Sequence, residues 1–91
     1  MKTFSDLVFQ PYSGWLGANG VKSEIAFPNG FGVSVVRHDG SYGGESGLYE
    51  LAVLKGSRIC YDTPVTGDVE GWLTPEAVTE LMRQVQELPN A

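Results

Sequence analysis

The sequence predicts an α+β protein, an antiparallel sheet of two β-hairpins with about four to five strands, packed by one C-terminal α-helix. Three observations carry this. Apolar residues alternate on both sides of Pro28-Asn29-Gly30, a second apolar run meets Lys55-Gly56, and helical spacing begins directly after Thr74-Pro75.

The first hairpin spans Val21 to Arg37. Ser23, Ile25 and Phe27 alternate before the turn, and Phe31, Val33 and Val35 alternate after it. Pro28 suits the first central position of a type I turn, Asn29 the second, and Gly30 the left-handed position that closes a bulged three-residue loop. That loop sets Phe27 against Phe31, Ile25 against Val33 and Ser23 against Val35, with the large apolar side chains on one face. A two-residue Asn-Gly loop opposes Ile25 to Ser34 instead and mixes the faces, so the bulged form is preferred.

The second hairpin runs from Leu48 to Tyr61. A two-residue loop at Lys55-Gly56 places Leu51 opposite Cys60 and Ala52 opposite Ile59. Both faces of this pair are partly apolar, as in the middle of a sheet.

Residues 63–73 have no clean period and contain Pro64, Gly67 and Gly71, so they read as a connecting loop. The helix is expected over residues 74–88. Thr74 caps it, Pro75 occupies the first position where its missing donor costs nothing, and Glu76 complements the helix dipole. Val78, Leu81, Met82, Val85 and Leu88 form one stripe, with Glu80, Arg83 and Glu87 facing outward. Residues 1–20 are the least patterned and are read as an edge strand running into a Gly-rich loop.

Ninety-one residues, 42% hydrophobic and 19% charged, suit one folded domain. The net charge is −5, and all of the excess lies in residues 62–91, where six acids face Arg83 alone. A phosphate backbone is gripped through clustered Lys and Arg, so direct nucleic-acid binding is not expected. The N-terminus carries no apolar run of signal-peptide length and no stretch approaches membrane-spanning length, which predicts a cytoplasmic protein without a membrane partner. Cys60 is the sole cysteine. It excludes an internal disulfide and a multi-cysteine metal cluster, and its place among strand residues marks it as a small core side chain.

No catalytic or metal-ligating constellation stands out, and no cofactor is implied. His38, Asp39, Ser41 and Ser46 are sequence neighbours in a glycine-rich stretch, whereas a triad needs fixed geometry. Asp62, Asp68 and Glu70 match no calcium loop. The chain is therefore read as a non-enzyme.

The best candidate surface is the segment from Arg37 to Gly47, with four glycines and an exposed tyrosine. Tyr42, Gly43, Gly44 and Glu45 are the expected partner-binding residues, with Tyr42 as an aromatic anchor. The plainer alternative is a mobile connection. Asp68 and Glu70, alongside Glu76, Glu80 and Glu87, extend the surface as acids suited to a basic partner. Tyr12, Trp15 and Trp72 lie beside glycines and are read as core lids, with an interface role as the alternative.

Ser41-Tyr42-Gly43-Gly44, the run Gly47-Leu48-Tyr49-Glu50-Leu51-Ala52-Val53-Leu54, and Tyr61 to Val69 together resemble small uncharacterised proteins encoded by tailed bacteriophages. Pro28-Asn29-Gly30-Phe31 and Trp72-Leu73-Thr74 add to the likeness, which spans roughly residues 21–88. The resemblance implies a protein made in the bacterial host cytoplasm during infection, and it transfers no active site. The expected function is that of a phage accessory protein that binds and inhibits a host protein, such as a defence component. A self-associating structural or assembly component is the alternative.

Overall fold

The computed structural model describes residues 1–13, 19–66 and 69–91. Its elements are β1 (Gln10–Ser13), β2 (Asn19–Ala26), β3 (Phe31–His38), β4 (Tyr49–Lys55), β5 (Arg58–Ile59), β6 (Glu70–Leu73) and α1 (Pro75–Gln86). Short 3-10 turns lie at Phe4–Asp6 and Gly44–Ser46. The α+β architecture is as expected from the sequence, an antiparallel sheet with one C-terminal helix.

The sheet order is β1-β2-β3-β4-β5, and β6 also pairs with β4. Among the described residues the strands thus number six, against the four to five expected. The extra one is β6, which lies in the segment read as a loop. Its glycines hide the alternation, because Gly71 has no side chain to reveal a face.

The first hairpin has the expected register, with Ile25 opposite Val33 and Ser23 opposite Val35. Phe27 and Phe31 close the loop through a 2.7 Å bond from Phe27 N–H to the Phe31 carbonyl, and Gly30 takes φ +89. The second hairpin differs. Leu54 faces Ile59, Lys55 faces Arg58, and Cys60 N–H donates to Val53, a slip of two residues from the Leu51 to Cys60 pairing. Gly56, not Lys55, is the first loop residue, and its φ of +63 explains why. A two-residue hairpin loop needs a positive φ there, which lysine adopts at a cost and glycine does not. A slip of two keeps every side chain on its expected face.

One sheet face carries Val33, Val35, Leu51 and Val53, all fully buried, against Val78, Met82 and Val85 of α1. Thr74 Oγ1 accepts from Ala77 N–H and caps this helix as anticipated. Arg83 is bound by Glu80 and Glu87 on the outer face. These bonds hold the Glu80 carboxyl down at about 2.

The N-terminal segment contributes the expected edge strand, β1, together with the 3-10 turn that places Phe4 near Phe9 and Tyr49 in an aromatic cluster with centroids 5.1–5.7 Å apart. Phe4 N–H donates to Thr79 Oγ1 of the helix at 3.0 Å. The first hairpin turn grips the other end of α1. Asn29 Nδ2 donates to the Val85 carbonyl at 2.9 Å and the Leu88 carbonyl at 3.1 Å, while its Oδ1 accepts from Phe31 N–H.

Candidate functional site

The segment between β3 and β4 is tied down by its own polar groups. Ser41 is buried, its Oγ donates to the His38 carbonyl at 2.8 Å, and the same oxygen accepts from His38 N–H at 3.0 Å. His38 Nδ1 accepts from Gly40 N–H. The serine hydroxyl and the imidazole nitrogen therefore serve the turn rather than each other. Tyr42 N–H donates to Glu50 Oε2 at 2.9 Å, which anchors the loop to β4.

The loop is also fastened to β6, because Trp72 N–H donates to the Tyr42 carbonyl at 3.1 Å. This contact depends on an irregularity in β6. Tyr49 pairs with Leu73 and Leu51 with Glu70, so Gly71 and Trp72 together oppose Glu50. The result is a β-bulge, a device that re-aims a side chain at the edge of a sheet. Trp72 pays for it with φ +58, alone among the described non-glycine residues in having positive φ. A left-handed backbone costs such a residue about 1–2 kcal/mol.

Two glycines make the junction close. A Cβ on Gly71 would stand 2.3 Å from Tyr42 Cβ, and one on Gly43 would stand 2.9 Å from Trp72 Cα. The bulge and the loop thus interlock at positions where only glycine fits, and both neighbouring aromatic side chains are left outside. Tyr42 is 63% exposed and Trp72 64% exposed.

Between them lies a cleft of about 300 Å³ lined by Asp39, Ser41, Tyr42, Gly43, Glu45, Ser46 and Trp72. Among the described residues, the Asp39 and Glu45 carboxylates have neither an ion pair nor a hydrogen bond. No lysine or arginine lines the cleft.

The structure therefore brings Tyr42, Gly43 and Glu45 to one place, with Gly44 half-buried beneath the turn. Gly43 is buried, so its part is to admit β6 rather than to touch a partner. Glu70 is exposed on β6 but outside the cleft lining. Asp68 lies outside the described residues, as does Trp15. Glu80 and Glu87 are engaged by Arg83.

Sequence reasoning missed Asp39 and misplaced Trp72, which is not a core lid. The available signal was Gly71-Trp72 following a glycine-rich loop, a sequence suited to close backbone approach. Tyr12 is half-buried, with Lys22 Nζ 5.3 Å from its ring centroid.

A larger cavity, about 480 Å³, lies at the opposite hairpin among Phe31, Lys55, Cys60, Asp62 and the C-terminal residues. The buried Cys60 donates its S–H to Asp62 Oδ1 at 3.0 Å, which lowers the carboxyl's pKa. Among the described residues, no group of three or more His, Cys, Asp or Glu side chains is placed to hold a metal ion. No helix among them is long and apolar enough to cross a membrane.

Comparison with protein-family models, curated proteins and solved structures finds no match for this chain.

Proposed function

We propose that the chain is a non-catalytic binding protein that inhibits another protein by occupying its surface, with the Tyr42–Trp72 cleft as the contact. In the phage setting that the sequence resembles, the target is a host protein in the bacterial cytoplasm. The observation that supports this reading is Trp72. A large aromatic ring held outside by a strained bulge gains the fold little, and strained backbone clusters where proteins act. Exposed Tyr and Trp rings are also the groups that dominate binding energy at interfaces.

The test is an affinity capture from bacterial lysate with the tagged protein, comparing wild type with Tyr42→Ala/Glu45→Ala and with Trp72→Ala by mass spectrometry. A bacterial protein retained by wild type and lost by both variants supports the reading. Retention unchanged by the variants removes the cleft from it. Self-association is checked on the same sample by size-exclusion chromatography with light scattering. A concentration-dependent dimer that dissociates in Trp72→Ala would transfer the cleft to a self-assembling role.

A further inference from the structure

The cleft between Tyr42 and Trp72 has chemistry that narrows what enters it. It combines two exposed rings with two carboxylates that have no partner among the described residues. Aromatic faces attract a cation through the ring quadrupole. Unpaired carboxylates attract the same charge and are eager for donors. An anion or a phosphate backbone meets repulsion here, in a chain whose net charge is −5. A hard metal ion asks for six or more oxygen ligands and makes no use of rings.

We propose that the cleft receives an arginine side chain from an exposed segment of the partner protein. This rests on the binding reading above and specifies its occupant. Guanidinium fits better than ammonium, because it is planar, stacks on an aromatic face and offers a fork of donors to carboxylates. Lysine is a strongly hydrated point charge that has to shed water to enter between two rings. Trp72 and Tyr42 supply the stacking faces, while Asp39 and Glu45 accept the N–H groups. The bulge fixes the backbone that carries Trp72, and the bond from Tyr42 N–H to Glu50 fixes the backbone that carries Tyr42, so the two sides of the cleft are in place before the arginine arrives. Preorganisation of this kind lowers the entropy lost on binding.

The experiment is a titration of the uniformly labelled full chain by two-dimensional NMR with three Gly-Ser peptides, identical except for arginine, lysine or citrulline at two positions. The arginine peptide is expected to shift the Trp72 indole N–H and the Tyr42 and Glu45 amides saturably. Lysine should bind roughly tenfold more weakly, which corresponds to about 1.4 kcal/mol. Citrulline, which keeps the shape and loses the charge, should bind more weakly still. Glu45→Gln and Asp39→Asn should each weaken the arginine peptide, and these surface changes leave the bulge intact. Trp72→Gly should abolish the response while the chain stays folded.

Equal binding of lysine and arginine peptides would overturn the proposal in favour of unspecific charge attraction. So would shifts confined to α1, or no shifts up to millimolar peptide. A partner captured through the cleft together with silent arginine peptides sinks the arginine assignment and leaves the binding reading standing. Arginine binding at the cleft with no partner captured supports the site and counts against the inhibitor reading.

Discussion

Substituting Trp72 by glycine and by alanine isolates the strain in the β6 bulge. Both variants lose the same ring, so ring contacts cancel from the comparison. What remains is the backbone. At an ordinary strand position alanine is more stable than glycine by about 0.5–1 kcal/mol, because glycine has more conformational freedom to lose on folding. At φ +58 the sign reverses, since alanine's Cβ crowds the following carbonyl and glycine's hydrogen does not. Taking about 1–2 kcal/mol for the left-handed penalty and subtracting the glycine cost of about 0.5–1 kcal/mol leaves Trp72→Gly more stable than Trp72→Ala by up to about 1.5 kcal/mol, with a midpoint of about 0.7 kcal/mol. In a domain of this size the midpoint is about 3–6 °C in Tm. Thermal unfolding followed by circular dichroism, with urea titration as a second measure, reads it directly. A more stable alanine variant would refute both the bulge geometry and the argument that the fold sacrifices stability to expose Trp72.

Other expectations follow from particular contacts. Gly71→Ala forces a Cβ to within 2.3 Å of Tyr42 Cβ and should cost about 1–3 kcal/mol in urea unfolding. Gly47→Ala faces open space and meets only the cost of its φ of +79, a net loss of up to about 1.5 kcal/mol once glycine's own entropic cost is subtracted, with the Tyr42 and Trp72 resonances unmoved in NMR spectra. Asn29→Ala removes the donors to Val85 and Leu88 and the acceptor for Phe31, and should destabilise by about 2–3 kcal/mol. Asn29→Asp should be no better, because it sets a negative charge against the carbonyl end of α1. Glu80 titrates at about 2 in the folded chain against an ordinary 4.5, so its bonds to Arg83 add stability that is complete above pH 4.5 and lost as pH falls towards 2. The stability difference between wild type and Glu80→Gln should therefore shrink across that interval, measured by urea unfolding at stepped pH.

The parts of the fold legible in the sequence are those where local chemistry and periodicity agree. Pro28-Asn29-Gly30 specifies both a turn and a register, and the structure has both. Thr74-Pro75-Glu76 marks the helix start for reasons confined to one turn of chain, and Thr74 caps it. The second hairpin exposes the limit. Lys55-Gly56 and Gly56-Ser57 each contain a glycine, and a slip of two leaves the apolar faces unchanged, so hydrophobic pattern alone does not choose between them; the positive φ at the first loop position does, in favour of Gly56. β6 was illegible for another reason. It is held by pairing with β4, a strand some twenty residues away, and not by its own alternation. The candidate site was half visible. Tyr42 and Glu45 could be picked out because they lie in a glycine-rich connection, whereas Trp72 joins them only through the bulge, which is a property of two strands together.

The clasp on the far end of α1 bears on how the chain can be rearranged. Lys2 N–H donates to Gln86 Oε1 while Gln86 Nε2 donates back to the Lys2 carbonyl, and Ala91 N–H reaches the Asn29 carbonyl. Met1 and Asn90 line one shallow depression. The two extremities therefore meet above the helix terminus, and a short linker between them would span little space. The exposed Gly56-Ser57 turn, where a Cβ added to Gly56 would meet nothing within 4 Å, offers a place to open the backbone instead. A circular permutant cut there breaks the stretch that joins the Tyr42 loop to β6, so its cleft would have to assemble through sheet pairing, and its folding would show that linear order is a separable property of this architecture.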